Sequence, residues 1–229
     1  MRSANDIVDF HAHLLPGADH GSDSIETSLF QIRLAREFGV SRIIATPHFY
    51  PAVHKVDSFL NKRNSAYEKL ASLGLEVDIR LGAEVLICNG IEKLPGLERL
   101  FVNGTNTLLL ELPFSDFQTE YCDSVYNLVT DGVEVVLAHA DRYSEENIER
   151  LIELGAKIQL NVDSLSGIFI SKHLYRWLES GAVVAFGSDI HGEDKKAYKK
   201  FAKAISKNRC FIDAVKSESD RIFNSSKKI

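Results

Sequence analysis

Again and again along this chain a short apolar stretch is followed by a longer segment with apolar residues at helical spacing, and that recurrence restricts the fold most. The apolar stretches fall at 7–10, 42–45, 77–81, 107–110, 134–138, 157–160 and 183–186. Several are uninterrupted (Ile43-Ile44, Val135-Val136-Leu137, Val183-Val184), as in parallel strands covered on both faces. Helical spacing occupies 26–38, 58–73, 118–130, 144–154 and 172–179, then a lysine-rich, more polar helix over 193–207 and a terminal one over 211–223. Gly39 follows the first helix as a stop, and Gly132, Gly155 and Gly181 stand where C-terminal caps belong. Alternation of this kind predicts an α/β protein with a parallel sheet, closed as a barrel or open and doubly wound.

At 229 residues the chain suits one domain spanning 1–229, with enough apolar material for a single core. Its net charge of -5, with both signs interspersed, gives no nucleic-acid footprint. Cys88, Cys122 and Cys210 lie far apart and form no CxxC pair, which favours a reducing compartment and packing roles. The first six residues lack the apolar core of a leader, and no run reaches the ~18–20 apolar residues of a membrane span. These features predict a cytoplasmic protein without membrane insertion.

The histidines cluster at strand ends. Asp9-Phe10-His11-Ala12-His13 closes the first strand, and Asp19-His20 follows in its loop. His48 closes the second, Glu84 the third and Glu111 the fourth; His139 ends the fifth, and Asp189-Ile190-His191 the seventh. All fall at C-terminal strand ends, the face on which βα loops build the site of a β/α barrel. Imidazole and carboxylate suit divalent manganese, iron or zinc. In an extended segment residues i and i+2 face one way, so His11 and His13 can share an ion, as can Asp189 and His191. Glu84 has two oxygens with which to bridge a pair of ions.

Singly, each signal has a plainer reading. A lone strand-end Glu111 is usually solvated, and Ser-Asp-x-His is a common turn or helix cap. Six strand ends carrying such groups together predict a metal cluster. His54 and His173 fit no strand end, which points to surface or packing roles, with His54 also near the mouth of the site. Trp177 reads as core.

The stretches DFHAHLLPGADHG, IIATPHFYP, LGAE, LLLELPF, VVLAHADRY, IQLNVDSLSG and VAFGSDIH, in this order over 9–191, resemble the PHP (polymerase and histidinol phosphatase) superfamily. Within it the chain is most similar to the bacterial manganese-dependent tyrosine phosphatases of capsule and exopolysaccharide operons. The resemblance implies a distorted seven-stranded (β/α)7 TIM-like barrel (the PHP fold). It also implies three divalent metal ions, manganese first with iron or zinc as alternatives, held by His11, His13, His20, His48, Glu84, Glu111, His139, Asp189 and His191. His20 stands where close relatives usually carry a second Asp. Arg142, just past the fifth-strand histidine, is implied to grip substrate phosphate; with Asp189 and His191 it makes up the implied catalytic set.

Three divalent ions against Glu84, Glu111 and Asp189 leave the implied site strongly positive inside an acidic protein, suited to a phosphate dianion and to the extra charge of its transition state. The implied reaction is in-line hydrolysis by a metal-bridging hydroxide, with His54, Asp141 or metal-bound water as the acid. No Cys-x5-Arg loop is present, which excludes the thiol mechanism. The implied partner is a phosphotyrosyl protein such as the tail of a polysaccharide-assembly tyrosine kinase. Alternatives are a histidinol-phosphate phosphatase, a phosphodiesterase, or a non-catalytic metal-binding module.

Overall fold

Each predicted strand forms, and all pair in parallel. The computed structural model describes residues 7–114, 117–167 and 169–225; the 1–6 segment read above for a leader lies outside them. The strands are β1 Val8–Ala12, β2 Arg42–Ala45, β3 His48–Phe49, β4 Asp78–Leu81, β5 Glu84–Leu86, β6 Thr107–Glu111, β7 Glu134–Leu137, β8 Lys157–Asn161 and β9 Val183–Gly187. Their order across the sheet is β3-β5-β6-β7-β8-β9-β1-β2-β4.

Nine strands replace the expected seven because two predicted strands extend beyond their apolar runs and bend. Pro47, which has no N–H, interrupts β2 from β3, and Gly82-Ala83 interrupts β4 from β5. The hydrogen bonding survives both bends: Gly82 N donates to Ala45 O and Glu84 N to Pro47 O. The register also holds, with Ala45 opposite Leu81 and His48 opposite Glu84. The lower half of this ribbon pairs with β1, and its upper half with β6. The bend therefore joins the two edges of the sheet into a distorted barrel. Buried Arg63 secures it by donating from Nη1 to Gly82 O at 2.9 Å.

The helices are α1 Ile25–Glu37, α2 Val56–Ala71, α3 Glu120–Thr130, α4 Glu145–Glu153, a short α5 Val162–Ser166, α6 Lys172–Ser180, α7 Ala197–Lys207 and α8 Arg209–Asn224. Ser24 caps α1 by accepting from Thr27 N, and Ser144 caps α4 through Asn147 N. The lysine-rich helix starts four residues later than its polarity suggests, because Asp194 accepts from Lys196 N and holds a turn ahead of it. Gly39, Gly132, Gly155 and Gly181 all take positive φ after their helices, as expected of C-terminal caps.

Two apolar clusters divide the core. The larger lies between strands and helices; it includes Trp177. The smaller fills the barrel, with Val8, Phe10, Ile44, Leu109, Val136 and Val184 joined by Ile222 and Phe223 of α8, which close its N-terminal end. A register shift between Asp9 and Ala12 marks a bulge in β1. Cys88 and Cys122 are half-buried, but Cys210 is exposed, contrary to a packing role, because it falls on the outer side of α8. Among the described residues no helix is long and apolar enough to cross a membrane.

Candidate metal centre

At the other end of the barrel the strand-end side chains converge. His11 and His13 point the same way from β1 and the residue after it, and their Nε2 atoms approach to 3.0 Å. Glu84, fully buried at the start of β5, sits beneath them. Its Oε1 is 2.8 Å from His139 Nε2, while Oε2 is 2.8 Å from His48 Nδ1 and 3.2 Å from each of His11 and His13 Nε2. One carboxylate thus faces ligands on two sides. Asp189 Oδ1 lies 3.3 Å from His13 Nε2 and 3.5 Å from His191 Nδ1. Glu111, at the end of β6, reaches within 3.7 Å of His48 and 3.9 Å of His139.

Four overlapping groups have nitrogen and oxygen atoms close enough to surround an ion: His13, His48 and His191; His11, His13 and Asp189; His11, Glu84 and His139; and His48, Glu84 and Glu111. A metal fits this donor set better than hydrogen bonding does. His48 Nδ1, His191 Nε2 and Glu84 Oε2 are buried yet make no aligned hydrogen bond, although histidines and carboxylates crowd around them. Atoms so close and so poorly aligned are arranged as co-ligands, not as donor and acceptor.

The charges make the same demand. Burial would raise the Asp189 carboxyl, but His11 and His13 outweigh it and hold it far below the carboxylate range. Burial would lower His11, but Glu84 and then Asp189 raise it. Buried carboxylates packed this closely favour positive charge beside them, and divalent ions would supply it. His191 is pushed down to about 4 by burial and by His13, leaving a neutral ring with one lone pair to offer. Glu111 is pushed up to about 7 by burial and by Glu84. His139 and Asp189 are also the two non-glycine residues with positive φ among those described, at 34° and 50°. Each such backbone costs on the order of 1–3 kcal/mol, and this strain lies where two candidate ligands turn inward.

His20 is exposed and lies beside the cluster, its ring stacked 4.8 Å from that of His48 and 4.9 Å from that of His191, but it joins none of the four groups. Its neighbour Asp19 turns inward instead. Asp19 Oδ2 is 2.7 Å from His13 Nδ1 and accepts from His48 N at 3.0 Å, orienting both. Gly21 is required beside it, because an added Cβ would stand 2.1 Å from His13 Cβ. Arg142 reaches the rim and donates from Nη2 to Asp189 Oδ2 at 2.6 Å.

Of the acids considered from sequence, His54 Nδ1 accepts from Tyr50 N, and Asp141 Oδ1 accepts from Asn161 N, so each has a structural partner. His173 packs over Trp177 and faces Glu145 at the surface.

Sequence reasoning did not single out three polar strand residues under the cluster. Asp9 uses Oδ1 on Ser188 N and His11 N, and Oδ2 on Ser188 Oγ and Tyr198 OH. Gln159 and Asn161 form a second network beneath His11, His139 and Asp189. The legible signal was polarity within strands otherwise built for burial.

A family model described as "Capsular polysaccharide synthesis, CpsB/CapC" matches residues 7–216. The chain belongs to the CpsB/CapC family. It is 30% identical over 197 residues to the tyrosine-protein phosphatase YwqE of Bacillus subtilis (strain 168), covering 81% of this chain and 77% of the relative. It is also 30% identical over 201 residues to a putative tyrosine-protein phosphatase, CapC, of Staphylococcus aureus, with the same coverage. A chain from the crystal structures of YwqE from Bacillus subtilis and CpsB from Streptococcus pneumoniae, described as metal-dependent tyrosine phosphatases, matches with a TM-score of 0.80 at 23% identity, covering 96% of this chain and 95% of that one. A TatD-family hydrolase from Entamoeba histolytica shares the barrel at a TM-score of 0.60 and 11% identity, covering 97% and 99%.

Proposed function

We propose that this chain is a metal-dependent protein-tyrosine phosphatase, a single catalytic unit over 1–229, acting in the cytoplasm in the control of capsule or exopolysaccharide synthesis. The observation that carries the reading is Glu84, whose two oxygens face two sets of histidines in a buried, charge-demanding pocket. Kinship with YwqE and CapC supplies the substrate class.

Three ions fit the proposal. They would be held by His11, His13, His48, Glu84, Glu111, His139, Asp189 and His191, with His20 at the rim. Manganese is the first choice, iron or zinc the next. Bound there, the ions supply Lewis acidity toward phosphate and activate water. The protein's own groups do the rest. Arg142 can turn its planar guanidinium from Asp189 to two phosphate oxygens, and Asp189 and His191 fix the geometry at its side. A tyrosine leaving group, with a pKa near ~10, needs less protonation than an alkyl alcohol. The partner is a phosphotyrosyl protein, with the tail of a tyrosine kinase of polysaccharide assembly as the specific candidate.

The test is phosphate release from p-nitrophenyl phosphate, a phosphotyrosyl peptide and histidinol phosphate, before and after chelation and with manganese, iron, zinc or magnesium restored. Chelator-sensitive turnover of the peptide, recovered with a transition metal, supports the reading. Preference for histidinol phosphate would replace the substrate, and a loaded protein inert on every ester would leave a binding module.

A further inference from the structure

Among the described residues, the end of β8 carries no candidate ligand, yet its side chains lie under three of them. Ile158 and Leu160 face the helices within the larger core, so Gln159 and Asn161, alternating with them, face inward. Both are buried. Gln159 Oε1 receives His139 N at 2.8 Å and lies 3.1 Å from His11 Nδ1, and Gln159 Nε2 donates to Asn161 Oδ1 at 2.9 Å. Asn161 Nδ2 then donates to Asp189 Oδ2 at 3.2 Å.

The direction of this chain is fixed by one group that cannot be reversed. A backbone N–H only donates, so the Gln159 atom facing His139 N must be the amide oxygen. Gln159 Nε2 then faces Asn161, which must answer with its own oxygen, and that turns the Asn161 nitrogen toward Asp189. The same oxygen can only accept from His11, so His11 Nδ1 must carry a proton. Its Nε2 lone pair is left for the centre, 3.2 Å from Glu84 Oε2. Gly187 keeps the space open, since a Cβ there would lie 2.7 Å from both Gln159 Nε2 and His11 Cβ.

We propose that Gln159 and Asn161 are positioning residues that set the His11 tautomer, hold the strained His139 turn and aim Asp189, so that three strands present their ligands in one arrangement before any ion arrives. The proposal rests on reading the cluster as a metal centre. An amide is suited to this work because it accepts on one side and donates on the other; a carboxylate in the middle of the relay could do only half.

The test is zinc titration of the whole chain by calorimetry, with ¹⁵N-edited spectra of the histidine rings in the zinc-loaded form. In the wild type, His11 shows a slowly exchanging Nδ1–H coupled to Gln159. Gln159→Met, close in volume but with no acceptor, loses that signal and weakens zinc binding about 10- to 100-fold, the usual effect of removing a partner of a metal ligand. Gln159→Glu, which still accepts from His11 but cannot donate to Asn161, keeps the signal and recovers only part of the affinity. Asn161→Ala leaves the His11 signal but weakens zinc binding, and it serves should Gln159→Met fail to fold. Wild-type zinc affinity in Gln159→Met or Asn161→Ala, with only a lowered metal-free melting temperature, would overturn the positioning role. Wild-type protein that binds no zinc, manganese or iron would overturn the metal reading along with it.

Discussion

The two ends of the barrel are built from the same strands to opposite specifications. Near the N-terminal end, Val8, Leu109, Val136 and Val184 pack with Ile222 and Phe223 of α8. Only a few residues further along these strands come His11, Glu111, His139 and Asp189. One end removes apolar surface from water and stabilises the fold at ~25 cal/mol per Å². The other buries carboxylates and strained turns that cost stability until positive charge arrives. A strand's length is enough to separate what holds the protein together from what it does.

The sharpest break of that division is Asp189→Asn. Turnover of a phosphotyrosyl peptide should fall on the order of 10³-fold, the scale set by losing one preorganised electrostatic group. The metal-free melting temperature should fall modestly, because His11, His13 and Arg142 lose the carboxylate that answers their charge; unchanged turnover with a large drop would place Asp189 on the stability side. Phe223→Ala should do the reverse. Urea denaturation should show a loss of about 3–5 kcal/mol, while kcat per folded molecule stays at the wild-type value. Arg142→Ala should raise KM about 10- to 100-fold, as expected for losing a charged hydrogen bond of roughly 1.5–3 kcal/mol, and leave metal content intact. A fall in metal content would show that its contact with Asp189 organises the centre. His20→Ala should have the smallest effect, roughly 10-fold or less on kcat, with one ion lost per chain by elemental analysis. Full retention of metal would remove His20 from the ligand set.

Much of this was legible in the sequence because two periodicities coincide with function. Apolar runs located the strands, and the first His, Asp or Glu after each located the ring of candidate ligands. The bends at Thr46-Pro47 and Gly82-Ala83 were not legible, because Pro or Gly after an apolar run looks like the end of a strand. Thus His48 and Glu84, read as closing the second and third strands, open β-strands of their own. Asp19 and His20 show a second limit: in an irregular loop, adjacency does not say which side chain turns inward. Gln159 and Asn161 show a third, since amides carry no metal-ligand signature and only their alternation with Ile158 and Leu160 hints at an inward face. Tyr198, buried within a lysine-rich helix, was hidden by its neighbours' charge.

β1 lies between β2 and β9, and Asp9 is bonded to Ser188 and Tyr198 nearly the whole chain away. A chain emerging from the ribosome therefore offers its first histidines long before Asp189 and His191 exist to complete their surroundings. Contacts this distant in sequence form slowly and late. The first strand must wait, half paired, for the last one, so the barrel and its centre reach completion in the same event.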